Sequence, residues 1–337
     1  MVVSVDTEPI RGEPIRGGTF RPRRSIVVTA VIGVAFLIAV ACFMTYDLRG
    51  SLSYALELRA RKVAAMTLVG VGLSVATVLF HTVSGNRILT PALMGFDALY
   101  ILLQTVAAYL FGTFAFLRIE VRVRFLGELA VMMLFALFLN HIFLRRTRGD
   151  VVLLMLAGVV MSGMFRAIGN LVARLIDPNE FVALQDRLFA SFSSVDEQLL
   201  GASAVCVAVA LVVVWRMRYQ LDAVALGHDH ASSLGVDVDR VTRVSMALVA
   251  VLVAVPTALV GAITFLGLLA SNGVYLATRT FRHRSTVPAA ALAGATILIA
   301  AQFVIEEFFA FNTRASMVLA FFGGIAFIAL LLKEQRR

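Results

Sequence analysis

Residues 221–240 read LDAVALGHDHASSLGVDVDR, a mostly polar passage set between stretches that are almost pure hydrocarbon. Two short turns are written into it. Apolar Val224, Ala225 and Leu226 run up to Gly227, and Ala231 to Leu234 run up to Gly235, each glycine stopping a helical turn. The flanking runs, near 199–216 and 241–261, approach the roughly 20 apolar residues that a helix needs to cross a bilayer core. A capped polar connection between two such runs predicts a polytopic helical membrane protein that surfaces into water here.

The composition of the chain agrees. Of its 337 residues 60% are hydrophobic and 15% charged, and the mean hydropathy of +0.90 is too high for a soluble domain of this length. The apolar runs are continuous, whereas barrel strands alternate apolar with polar, so the class is all-α. About ten runs qualify, near 26–45, 63–83, 94–117, 125–144, 151–171, 199–216, 241–261, 263–279, 287–305 and 315–332. The last-but-two follows its predecessor closely through VGAITFLG, which predicts a tight helical hairpin, and Pro256 should kink the earlier helix.

Charge distribution orients these helices. The net charge of +9 would point to nucleic acid in a soluble chain, but here the arginines sit in short loops. Placing both termini in the cytoplasm puts most Lys and Arg inside, among them Arg87, Arg216, Arg218, Arg240, Arg243 and the RTFRHR stretch. Residues 221–240 then face the cytoplasm. The expected organisation is a disordered basic tail, 1–24, containing EPIRGEPIRGG, followed by a transmembrane domain, 25–337. The run after Arg24 lacks a small-residue cleavage site and is long enough to be a retained span rather than a signal peptide. The long outer connection 172–198 carries helix-start chemistry: Asp177 before Pro178, and Ser194 with Glu197 as a capping box.

Chemical motifs are sparse. Only Lys62 and Lys333 are lysines and neither ends a Gly-rich phosphate loop, which excludes a Walker-type ATP site. No nucleophile triad or zinc motif is spelled out, and no cofactor is called for. His228-Asp229-His230 could tempt a metal, yet histidines two apart on a helix face apart, and a solvated loop is the plainer reading. Cys42 and Cys206 lie in apolar runs and read as packing residues. Glu128, Glu306 and Glu307 fall near outer helix ends, His141 near an inner end, and Arg166 near the outer surface, where it can snorkel. Nothing in the spans supplies a coupling ion, so force must come from a partner, and 221–240 is a place to grip.

At this point the residues are similar to a known family. ALGHDHASSLGVDVDRV resembles the cytoplasmic coupling segment of the permease subunits of type II ABC importers for iron-siderophores and cobalamin. Residues 58–100 resemble the family's early motif, with Gly70, Asn86, Pro91 and Gly95 in register; GAITFLGLL, with Gly267, and the closing FNTRASMVLAFFGGIAFIALLLKE also match. Ser271-Asn272 stand where most members have Pro-His, and Asn312-Thr313 where the closing motif has Leu-Pro. Together with 174–195, these departures resemble the subgroup serving catecholate or mixed-ligand ferric siderophores such as petrobactin and anguibactin.

The resemblance implies a ten-helix permease without enzymatic activity of its own, in a homodimer or a heterodimer with a paralogue. It implies two ATPase subunits docking on 221–236 through Leu226, Gly227, Ala231, Leu234 and Gly235, and a periplasmic or lipoprotein binding protein docking outside. Arg59 and Lys62 match basic docking positions of the family. Glu306 aligns with a third basic position and breaks the pattern. Asn86, Pro91, Gly95, Gly267 and Asn272 are the matching pathway or structural positions. The implied cargo is a ferric siderophore, with haem or cobalamin as alternative chelates. A secondary transporter would need an ionisable group at the bilayer midplane, and a scaffold would not need the coupling segment.

Overall fold

The computed structural model describes residues 22–46, 52–146, 151–192, 195–308 and 315–334. They form thirteen helices and a single 3-10 turn, Pro91–Met94. The helices are α1 Pro22–Thr45, α2 Leu52–Ser84, α3 Phe96–Phe111, α4 Thr113–Arg118, α5 Val121–Arg146, α6 Val151–Ala173 and α7 Pro178–Leu188. They continue with α8 Glu197–Val224, α9 His228–Ser233, α10 Val238–Val260, α11 Leu266–Thr278, α12 His283–Phe308 and α13 Ala315–Glu334. Seven of them, α1, α2, α5, α6, α8, α10 and α12, are long and apolar enough to cross a membrane, and α3, α11 and α13 carry shorter apolar segments. These ten coincide with the ten runs in the sequence. The expected helix 94–117 is broken, because Gly112 takes φ 75° and separates α3 from α4.

Position in the bundle follows from packing rather than from hydropathy. The most apolar window of α2 is 78% buried and that of α1 only 6%, although α1 is the more hydropathic of the two. In lipid, apolar side chains gain little by leaving the solvent, so helices associate through close packing of small residues and through polar contacts. The α2–α12 contact has that form. A Cβ on Gly70 would lie 2.6 Å from Ala295 Cα, and one on Gly294 would collide with Ser74 and the Gly70 carbonyl. Either substitution forces the two backbones apart.

Proline and glycine cooperate at the α2–α10 crossing. Pro256 cannot donate to the Leu252 carbonyl, and helix α10 nevertheless runs on through it. That carbonyl and the proline ring face Gly72, where a Cβ would sit 3.0 Å from Leu252 O and 3.1 Å from Pro256 Cγ. After α10 the chain turns at Gly261 (φ 106°) and re-enters a helix at Phe265 (φ 61°). This irregular stretch is satisfied internally, as lipid requires: Ala262 bridges Phe189, and the Ser191 amide donates to Val260 O at 2.8 Å.

In the connection after α6, the helix-start chemistry read at Asp177 is present. Asp177 caps α7 by accepting from the Asn179 amide at 2.9 Å, with Pro178 in the first turn. The capping box expected at Ser194 falls outside the described residues. Asp196 caps α8 instead, accepting from the amides of Gln198 and Leu199. Most of the expected tail, 1–21, and the Asn312-Thr313 departure also lie outside the described residues. Cys42 and Cys206 are exposed on helix surfaces rather than packed inside, which corrects the sequence reading.

Candidate functional site: the two ends of the bundle

The α9 end is built by local rules. Gly227 (φ 101°) ends the turn after α8 and Gly235 (φ 78°) ends α9. Gly235 donates to Ser232 O at 2.9 Å and Val236 to Ala231 O at 3.1 Å, the paired bonds of a Schellman motif. Asp237 then caps α10, accepting from the Arg240 amide at 2.9 Å. Within this frame Ala231 is fully buried and anchors α9, whereas Leu226 and Leu234 are 62% and 66% exposed. His228 and His230 lie on α9 rather than in a loop and are exposed, and no metal-ligating cluster occurs among the described residues.

At the base of the segment, in its first residues, lies a contact that sequence reasoning missed. Asp222, in the last turn of α8, accepts from the backbone amide of His283 and sits 2.7 Å from its Nδ1. The other ring nitrogen, Nε2, is 2.7 Å from Thr82 Oγ1 on α2. Three helix ends therefore meet at one buried imidazole. A carboxylate at the unfavourable end of a helix dipole is the available hint in the sequence.

The opposite end, where α2 begins and α12 finishes, is electrostatic. Lys62 Nζ lies 2.8 Å from Glu306 Oε1, and both side chains are only 9% exposed. Gln302 donates to the same carboxylate at 2.8 Å. Arg59 donates to Phe43 O and Tyr46 O at 2.8 and 2.6 Å and lies 3.9 Å from Glu307. The expected docking residues Arg59, Lys62 and Glu306 are thus brought together, but by one another and by the α1 terminus. Lys62 and Glu306 point inward, because an isolated charge so buried would cost several kcal/mol and the pair relieves it. Arg61 is more exposed and pairs with Glu57 at 2.8 Å and with Glu197 at 3.9 Å.

Of the five motif residues, all hold the chain together between these ends. Asn86 accepts from the Ile88 amide at 2.9 Å in the α2–α3 connection, Pro91 opens the 3-10 turn, and Gly95 (φ 93°) passes close to Gly158 and Ser162. Gly267 lies against Leu73 O and Thr77, and Asn272 donates to Leu268 O and Arg87 O at 3.1 Å each. The spans hold more ionisable residues than the sequence reading allowed. Asp97 and His81 are buried inside the bundle, and Glu128 is buried with Gln104 at 2.8 Å and Arg124 at 3.6 Å. Arg166 is exposed on α6.

Comparison with known proteins places this architecture. The model of the FecCD transport family matches residues 25–333. The petrobactin import system permease YclO of Bacillus subtilis is 37% identical over 93% of this chain and 99% of its own length. The petrobactin import system permease FatC of Bacillus anthracis is 30% identical over 81% of this chain and 77% of its own. Among solved structures, a metal-chelate type ABC transporter in an inward-facing conformation superposes with a TM-score of 0.74 at 21% identity, covering 92% of this chain and 99% of that one.

Proposed function

Because the chain belongs to the FecCD transport family, and is a multi-pass ABC importer permease, we propose that it carries a ferric siderophore of the petrobactin class across the cytoplasmic membrane. The observation that carries this reading is the match to the petrobactin permease YclO along 93% of the chain, beside a family match over 25–333 that takes in the 221–236 segment. The chain does no covalent chemistry. Two partner ATPase subunits grip 221–236, with Leu226 and Leu234 as the apolar anchors, Ala231 as the internal pin, and Gly227 and Gly235 holding the backbone reversals. An apolar, exposed pair on a capped, rigid turn fits a groove on a soluble partner.

Both termini face the cytoplasm in this reading, so the end bearing Lys62, Glu306 and Arg59 faces outward and seats the binding protein. The Lys62–Glu306 pair supplies a fixed shape there, and Arg61 supplies charge at the rim. A second copy or a paralogue completes the pathway. Binding of ATP closes the ATPase pair, the gripped segments shift, and the helices around the dimer axis exchange which side is open.

The test is uptake of radiolabelled iron supplied with a panel of siderophores, in cells carrying or lacking this gene. Loss of uptake confined to catecholate or mixed-ligand chelates supports the reading. Uptake unchanged for all of them, with loss for haem or cobalamin, replaces the cargo. Accumulation by the purified subunit alone, without nucleotide, would make it a secondary transporter.

A further inference from the structure

We propose that Asp222 and His283 are positioning residues that carry movement of the 221–236 segment into the α2–α12 pair, through the hydrogen-bonded chain Asp222–His283–Thr82. The proposal rests on the functional reading above, in which that segment is gripped and moved.

The argument begins with a misplaced charge. Asp222 stands four residues before Leu226 in the last turn of α8, where the helix dipole disfavours a carboxylate. Its compensation comes from another helix. His283 opens α12, so its amide is one of the donors that no intrahelical partner can satisfy. Asp222 Oδ1 takes that amide at 2.7 Å and the ring Nδ1 at 2.7 Å. A carboxylate of α8 therefore caps α12 from outside and sits at the favourable end of that helix's dipole.

The imidazole passes the contact on. A carboxylate only accepts, so Nδ1 carries a hydrogen, and Nε2 faces Thr82 Oγ1 at 2.7 Å, whose one hydrogen is shared between Nε2 and Val78 O at 2.9 Å. The ring is 2% exposed and has no room to swing aside. Charge-assisted hydrogen bonds of this length are directional and resist being pulled apart.

What lies beyond Thr82 and His283 moves as one body. Helices α2 and α12 are held at the α9 end by Thr82 and His283, in the middle by the Gly70–Gly294 approach, and at the far end by Lys62 and Glu306. Three clamps along two helices leave little freedom for one to slide on the other. A pull on the exposed segment reaches the α8 terminus through three residues of continuous turn, and Asp222 hands it to that body. On the other flank, the Asp237 cap accepts from the Arg240 amide of the chain's own next helix.

The test is made in proteoliposomes holding the complete importer, with ferric siderophore transported per ATP hydrolysed as the readout. Asp222→Ala should lower transport per ATP hydrolysed by about tenfold, through loss of both contacts to His283. Asp222→Asn, whose amide oxygen still accepts both hydrogens, should stay within about twofold of wild type. Thr82→Val, nearly isosteric, cuts the arm to α2 together with the hydroxyl's own bond to Val78 O, and should fall between them, which keeps the test open if Asp222→Ala does not accumulate.

An unchanged ratio in Asp222→Ala, or in Thr82→Val where the former fails to fold, overturns the proposal. So does a parallel fall of hydrolysis and transport with lower thermal stability, which marks a merely structural contact. A wild-type complex that assembles yet moves no ferric chelate overturns the functional reading instead.

Discussion

The two ends of the bundle solve opposite problems with opposite chemistry. At the α9 end, apolar Leu226 and Leu234 are held in water by glycine stops and a buried Ala231. At the other, Lys62 and Glu306 are held away from water by each other. One end spends its local geometry on leaving side chains unsatisfied, and the other spends long-range contacts on satisfying them. An unsatisfied apolar surface on a rigid turn is a place to be gripped, whereas a neutralised charge pair is a place that keeps its shape. The difference teaches that residue type alone misleads about exposure: Lys62 and Glu306 are internal, and Leu226 and Leu234 are presented.

The sharpest way to break this comparison is at Lys62. Lys62→Met should destabilise the protein by about 3–5 kcal/mol, since it strands the Glu306 carboxylate, while Lys62→Met with Glu306→Leu should return to within about 1 kcal/mol of wild type. Thermal unfolding in detergent reads both. A single variant as stable as the parent would mean that the pair is exposed after all.

Next in size is the α9 end. Leu234→Asp should weaken association with the ATPase subunits by about 2 kcal/mol or more, some thirtyfold, without changing membrane insertion or unfolding temperature. Titration of the purified ATPase measures it. A stability loss with unchanged affinity would invert the assignment of the two ends.

Smaller again is the cap. Asp237→Ala should cost about 1 kcal/mol by leaving the Arg240 amide unpaired, and should weaken ATPase binding only through fraying of the segment. Smallest is Arg61→Ala, an exposed pair worth about 0.2–1 kcal/mol in stability. Its effect on the binding protein should be a slower, less salt-sensitive association, read by stopped-flow mixing at two ionic strengths. Salt sensitivity that stays unchanged would move the docking charge elsewhere.

How much of this was legible depends on the range of the interaction. The Schellman turn at Gly235, the Asp177 cap of α7 and the exposed Leu226 and Leu234 are written within six residues of chain, and local rules suffice to find them. Lys62 and Glu306 are 244 residues apart, and Asp222 and His283 are 61 apart. No periodicity announces such partners. Glu306 reads as a mismatch until Lys62 is seen beside it, and Asp222 reads as loop chemistry until α12 arrives at it. Asp97 and His81 escaped notice because each sits close to a helix end in the sequence but inside the bundle in space.

By itself the sequence determined that this chain lives in lipid, that it makes about ten apolar helices, and where a polar turn interrupts them, because hydrocarbon length and turn chemistry are local quantities. Only the tertiary structure decided which helices lie at the centre and which charges are internal. The physical reason is the solvent: in a membrane, buried and lipid-facing side chains are equally apolar, so the contrast that marks an inner face in water is missing. Small residues meeting across α2 and α12, and polar groups finding each other across the chain, take over that task.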